Sequence, residues 1–186
     1  MKAIETTIPT IETPNLALRP WKMEDADLLL EILQEPDILQ FFPPTTFTLE
    51  KTHRYINHQL HHWRENGYGH WAVTIKDDDR VIGWNGLEFL PETDENEVAY
   101  LLSHQAWGHG YATEAARAAL KYGFETACLP AIIGLVHPDN TGSIRVLEKC
   151  GLTFVDRKPY WGLVMCRYRI DSSPKVTSIT LLSESN

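Results

Sequence analysis

The sequence is short of what several protein classes require. Its three cysteines, Cys128, Cys150 and Cys166, form no CxxC pair and their odd number would leave one over in a disulfide scheme. Unpaired thiols in a reducing cytoplasm are the simpler expectation. No apolar run approaches the ~18–20 residues that crossing a bilayer requires, and the opening MKAIETTIPTIETPN lacks the apolar core of a secretory signal. Cations are scarce too. Against 25 Asp and Glu stand 17 Lys and Arg, a formal charge of −8, so the phosphate-neutralising term behind general nucleic-acid binding is missing. Neither an internal repeat nor a low-complexity linker is present.

What is there has the composition of an ordinary globular protein, 43% hydrophobic and 23% charged, in 186 residues. That length suits one domain able to bury a core. Residues 1–11 and 172–186 are mostly polar and read as an extension and a tail around a domain at 12–171. Inside it the hydrophobic period switches between two and 3.6. Residues 15–19 alternate like a strand, and Leu28, Leu29, Ile32 and Leu33 give a helical face closed by Pro36. Thr48 is a good N-cap for a second helix bearing Ile56, Leu60 and Trp63, which Gly67 stops. Trp71, Val73 and Ile75 alternate on the next strand. The acidic turn Asp77-Asp78-Asp79 leads into another strand from Val81 to Leu90.

After the loop PETDENE a short apolar strand occupies residues 98–102. An Ala-rich helix over 112–127 presents Ala112, Ala116, Ala119, Leu120 and Phe124 as one small-residue face, suited to close packing on a sheet. A strand at 132–136, a helix at 141–149 and a hairpin at 154–170 complete the order βααβββαβαββ. This is one mixed α/β domain built around a central βαβ unit.

The turn that opens the Ala-rich helix reads Ser103-His104-Gln105-Ala106-Trp107-Gly108-His109-Gly110-Tyr111-Ala112-Thr113-Glu114. Glycines at 108 and 110 let the backbone take positive φ and admit a ligand close to the main chain. Successive amides then point inward, and the helix adds its positive N-terminal end, which makes an anion site suited to a pyrophosphate. A GxG turn alone is also a common strand-to-helix connection. A Walker loop would need Lys followed by Ser or Thr after the glycines, and a dinucleotide fingerprint would place Gly or Ala where Thr113 stands. Neither fits.

The string as a whole resembles the acetyl-CoA-binding motif of the GNAT superfamily, Q/R-x-x-G-x-G/A, read here as Gln105, Gly108 and Gly110. The continuation GYATEA and the later HPDNTGSIRVLEKCGL look most like its Rim-type branch, the ribosomal-protein N-terminal acetyltransferases and their relatives. The resemblance covers roughly residues 15–170. It implies an acyl-CoA N-acyltransferase fold, a central mixed sheet with a splayed pair of parallel strands flanked by helices. It also implies acetyl-CoA as co-substrate, a primary amine as acceptor, and a monomer or homodimer; no metal is expected, since a thioester is already activated. Backbone amides of Gly108, His109, Gly110, Tyr111, Ala112 and Thr113 would grip the pyrophosphate. Strand residues Leu101, Leu102 and Ser103 would pair with the pantetheine arm, with an amide near Leu102 facing the thioester carbonyl.

Acetyl transfer to an amine needs a proton acceptor, since an ammonium of pKa ~8–10 must be neutral to attack. Glu97, at the start of the central strand, is the candidate. Its plain alternative is a solvated acid in a loop with Glu92, Asp94 and Glu95. For the departing thiolate, many of the resembling enzymes use Tyr in a Y-E-K-x-G-F string, but here the position is Leu147. The Rim-type pattern Asn-x-x-Ser appears as Asn140 and Ser143, one turn apart at a helix start. Asn140 would position the arm, or cap the helix, or both. Ser143 would donate to the thiolate, or be an inert hydroxyl.

Other residues invite functions they do not need. His58, His61 and His62 have metal-friendly spacing, but no HExxH or nearby Cys joins them, so an exposed helix face is expected. His109 either approaches a phosphate or faces solvent. Cys150 reads as apolar filler. Phe41, Phe42, Trp84 and Tyr160 lie near strand ends or loops, where an acceptor groove could lie, but aromatics are more often core, and none is taken as a site residue. The leading function is direct acetyl transfer from acetyl-CoA to a primary amine, such as a protein N-terminus or polyamine drawn by the net negative charge. The rival is a non-catalytic acyl-CoA-binding sensor.

Overall fold

In the computed structural model, which describes residues 7–172, the chain runs β1 (Ile11–Glu12), β2 (Leu16–Arg19), α1 (Ala26–Leu33), α2 (Leu49–Asn66), β3 (His70–Ile75), β4 (Val81–Leu90), β5 (Glu95–Leu102), α3 (Tyr111–Glu125), β6 (Ala131–Val136), α4 (Thr141–Lys149), β7 (Thr153–Tyr160) and β8 (Leu163–Asp171). All eight strands form one sheet in the order β1-β2-β3-β4-β5-β6-β8-β7. Every neighbouring pair is antiparallel except β5 and β6. The expected mixed α/β order is present with one addition at its start. Ile11 pairs with Leu18, Trp71 Nε1 donates to the Pro9 carbonyl at 2.8 Å, and Ile8 and Ile11 pack on the core. Ile8, Pro9 and Ile11, within the stretch that composition sets apart as an extension, therefore belong to the packed domain. The polar tail beyond Ser172 lies outside the described residues.

Local chemistry accounts for the helix ends. The Thr48 hydroxyl accepts the Lys51 amide at 3.3 Å, and Gly67 closes α2 in the left-handed conformation at φ 74°, as an N-cap and a C-terminal glycine should. Asn140 caps α4 in the same way, its Oδ1 accepting from Ser143 N at 3.1 Å. The buried face of α3 comprises Ala115, Ala116, Ala119, Leu120 and Gly123. Ala112 and Phe124, which periodicity puts on that face, sit half-buried at its edge. A Cβ at Gly123 would fall 2.7 Å from Ile132 Cδ1 and 2.8 Å from Leu87 Cδ1, so the helix rests directly on β4 and β6 at this point.

Apolar clusters cover both faces of the sheet. Under α1 and α2 lie Trp21, Leu29, Ile56, Ala72, Trp84 and Leu101; under α3 and α4 lie Leu87, Val98, Leu102, Ile132 and Leu147. The start of α1 is pinned by a buried fork-to-fork pair, with Arg19 Nη1 and Nη2 each 2.8 Å from an Asp25 carboxylate oxygen, the strong bidentate geometry of a guanidinium on a carboxylate. No helix among the described residues is long and apolar enough to cross a membrane.

What positions the site is the one parallel junction. β4 and β5 pair continuously over eight residues, whereas β5 and β6 pair at a single register position, Glu97 with Ile133. Beyond it the two strands part, and the sheet opens into a fork.

Candidate active site

Main-chain groups of β5 alternate between its two neighbours. Ser103 N donates to Ile82 O at 2.8 Å, so odd-numbered positions bond toward β4 and the even positions Val98, Tyr100 and Leu102 turn their amides and carbonyls toward β6. Past the junction β6 is no longer there to receive them. Of the strand residues expected to bind an extended arm, Leu102 therefore offers its main chain to the fork. The Leu101 main chain faces β4, and the Ser103 amide is engaged by Ile82. The Leu102 carbonyl is capped by the Trp107 indole, Nε1 to O 2.7 Å.

Glu97 stands where the fork begins. Strand β5 starts earlier than its apolar residues suggest, so Glu97 is its third residue, 8% exposed, not a solvated strand-end acid. Leu135 N, two residues beyond the single β5–β6 pair, donates to Glu97 Oε1 at 3.1 Å. The carboxyl thus takes a donor that a continuous parallel ladder would have used. Burial pushes its pKa up to about 8; the Leu135 amide opposes that shift, and the negative charge of Glu88 adds to it. Glu88 is the register partner of Glu97 across the β4–β5 ladder, so their side chains share a face.

Side chains divide between the faces by parity. Glu97, Ala99 and Leu101 face α1 and α2, while Val98, Tyr100 and Leu102 face α3 and α4. On the second face Tyr100 Oη donates to the Ser143 carbonyl at 3.2 Å, which ties the first turn of α4 to β5 across the fork. Ser143 is half-buried, and its hydroxyl has no hydrogen-bond partner among the described residues. Asn140 has used its oxygen as the cap, which leaves its amide NH2 available.

At the wide end of the fork lies the glycine turn. Gly108 and Gly110 both have φ 81°, and an added Cβ at either would meet nothing within 4 Å among the described residues. Packing does not demand glycine there; the left-handed backbone does, and the space over it is open. Among the described residues the amides of Gly108, His109, Gly110, Tyr111, Ala112 and Thr113 find no protein acceptor, and Glu114 N is the first to bond back, to Gly110 O at 3.0 Å. Six successive amides at the start of a 15-residue helix form a cradle for an anion. Gln105 and His109 are exposed beside it, with the His109 ring stacked on Tyr111 at 5.3 Å. The pyrophosphate and arm of a coenzyme A thioester fit this donor set.

Sequence reasoning missed a polar group buried behind the α1–α2 face. His70 stacks on Trp84 with ring centroids 4.5 Å apart and its Nδ1 lies 2.8 Å from Tyr55 Oη. Burial lowers the His70 pKa to about 3 and raises that of Tyr55, so Tyr55 donates and the imidazole is neutral. The proximity of His70 to Glu88, 3.7 Å, is therefore not an ion pair. The flanking polar sequence of α2 gave no sign of this group. Elsewhere, His61 pairs with Glu65 on the surface and His62 packs edge-on against Tyr68. Among the described residues no three metal-ligating side chains gather. Cys150 is half-buried, its thiol pushed up by burial and 3.7 Å from the Thr113 carbonyl.

Comparison with known proteins agrees with the fold. The acetyltransferase (GNAT) domain family model matches residues 15–153. The uncharacterized N-acetyltransferase p20 of Bacillus licheniformis is 31% identical over 141 residues, 75% of this chain and 79% of its own. The crystal structure of an acetyltransferase from Agrobacterium tumefaciens matches at TM-score 0.79 and 30% identity, over 89% of this chain and 96% of that one. The ribosomal-protein-S5-alanine acetyltransferase of Vibrio fischeri shares the fold, at TM-score 0.77 and 16% identity over 89% and 98% of the two chains. With the family model matched across residues 15–153 and the Agrobacterium fold shared over 89% of the chain, the chain belongs to the GNAT family.

Proposed function

We propose that the protein transfers an acetyl group from acetyl-CoA to a primary amine by direct attack within a ternary complex. The observation that carries this reading is the placement of Glu97 at the apex of the fork, on the face opposite Ser143. A thioester lying in the fork would meet a proton acceptor from one side of the sheet and a proton donor from the other. The amides from Gly108 to Thr113 bind the pyrophosphate, and the free edge of β5 takes the arm. The Leu102 amide faces the thioester oxygen, where a lost donor of this kind costs ~100–1,000-fold in rate. Glu97 accepts the ammonium proton directly or through one water. The amine nitrogen bonds to the carbonyl carbon, the carbon–sulfur bond breaks, and the sulfur takes a proton from Ser143. Asn140, through its free NH2, steadies the arm.

The Rim-type branch, with a protein N-terminus as acceptor, is supported by the HPDNTGSIRVLEKCGL segment, whose Asn140 and Ser143 begin α4 at the fork. Two measurements test the transferase reading together. Acetyl-CoA should raise the melting temperature, as a ligand of the native state must, and an amine should then release free thiol. Stabilisation with no thiol release from any amine would leave a coenzyme-binding module in place of an enzyme.

Ser143→Ala should lower kcat by ~10-fold with the KM for acetyl-CoA unchanged. The effect is smaller than the ~100-fold of most proton donors because a thiolate of pKa ~8.5 is a tolerable leaving group. Stability should not change, since the hydroxyl has no hydrogen-bond partner among the described residues. A raised KM with kcat intact would assign Ser143 to binding instead.

A further inference from the structure

A cavity of about 280 Å³ opens between α1, the segment that follows it, α2 and the sheet. We propose that it receives an apolar, ring-sized group attached next to the acceptor's amine, so that the preferred acceptors are hydrophobic amines rather than polyamines. This rests on the transferase reading and names the substrate class for it.

Position is the first argument. Trp84 and Leu101, which line the cavity, are register partners on β4 and β5. Leu101 adjoins Leu102, whose amide faces the fork, and its side chain lies on the same face of the sheet as Glu97. An amine held between Glu97 and the thioester would have its substituent directed along this face toward Trp84.

Chemistry is the second argument. Among the described residues no charged side chain lines the cavity. Leu39, Phe42 and Phe47 close it from the α1–α2 connection, and its one hydroxyl-bearing aromatic, Tyr55, already donates to His70. Behind Tyr55 and Trp84 the neutral imidazole offers no counter-charge. A second ammonium entering here would lose its water without gaining a partner, which is strongly unfavourable. The net charge of −8 invites cationic acceptors at long range, but the wall of this cavity would reject them at contact.

Size is the third. An apolar cavity of ~150 Å³ holds benzene, so the volume here takes one ring and a short linker. It falls below the ~300–1,000 Å³ of sites for larger ligands. The same group can belong to a free amine or to the first residue of a peptide.

The experiment compares kcat/KM at saturating acetyl-CoA for ethylamine, phenethylamine, spermidine, and peptides beginning with Phe or Ser. Phenethylamine should exceed ethylamine by ~30-fold, as burial of a ring predicts, with spermidine slowest. If the Phe peptide outruns phenethylamine, the group comes from a protein N-terminus; the reverse order assigns it to a small amine. Leu39→Glu, at a half-buried position, should narrow or invert the preference for phenethylamine over spermidine. Equal rates on ethylamine and phenethylamine, or fastest turnover of spermidine, would overturn the proposal while leaving an acetyltransferase. So would hexanoyl-CoA outperforming acetyl-CoA with no preference among amines, since the cavity would then hold the acyl chain. No thiol release from any amine would remove the transferase reading, and this proposal with it.

Discussion

Glu97→Gln is expected to lower kcat/KM by ~100–10,000-fold, the range that a positioned proton acceptor contributes, and at the same time to stabilise the fold in alkali. The substitution keeps an oxygen for Leu135 N, so the fork apex retains its hydrogen bond. Only the ability to take a proton is lost. With an acceptor amine whose own pKa lies well below neutrality, wild-type kcat/KM should rise with pH and level off above about 8, following the Glu97 carboxyl. The variant should be flat. With an ordinary alkyl amine, its optimum should move upward, because the amine must then shed its proton unaided. Unchanged kinetics across pH would remove Glu97 from the mechanism.

The stability half of this prediction follows from linkage. In the folded protein the Glu97 pKa is raised from 4.5 to about 8, so the native state holds a proton that the unfolded chain releases. Its contribution is fully present below pH 4.5 and declines as pH rises through about 8. Glutamine has no such slope. The variant should therefore gain on the wild type as pH rises across that window, read as diverging urea midpoints. Parallel midpoints would mean that the carboxyl is ionised when folded.

Gly110→Ala should weaken acetyl-CoA binding by ~100-fold while leaving the protein folded. The new Cβ meets no atom of the described residues within 4 Å, so there is no clash among them to relieve. It does place a methyl group over the cradle and hold an alanine at φ 81°, at a strain of ~1–2 kcal/mol. Displacing one or two charge-assisted hydrogen bonds worth ~1.5–3 kcal/mol each gives the stated loss. Calorimetric titration with acetyl-CoA measures it. Undiminished affinity would mean that the pyrophosphate binds elsewhere.

Much of the fold was legible because its signals are local. Val81–Leu90 and Thr141–Lys149 have the expected bounds, set by continuous apolar patterning in one and an Asn cap in the other. The start of β5 was not legible: Glu95 and Asn96 are polar, and they are extended because Leu90 and Phe89 pair with them. The two-residue β1 is too short to show a period. In the site, the glycine turn could be read from spacing, since the role proposed for it lies in the backbone. The bond between Glu97 and Leu135 joins residues 38 apart, and no pattern along the chain announces it. Phe42 and Trp84 stand where a groove could lie but read as core aromatics; Trp84 is buried, Phe42 is 41% exposed, and the fold makes them two walls of one cavity.

The fork also gives this molecule something most sheets confine to their outermost strands: a seam in the middle, where hydrogen-bonding groups wait for a guest. Seams of that kind invite stray β-pairing and, through it, aggregation. Here α4 is laced to β5 by Tyr100 and Trp107 covers the last carbonyl, which leaves a stray strand fewer groups to pair with.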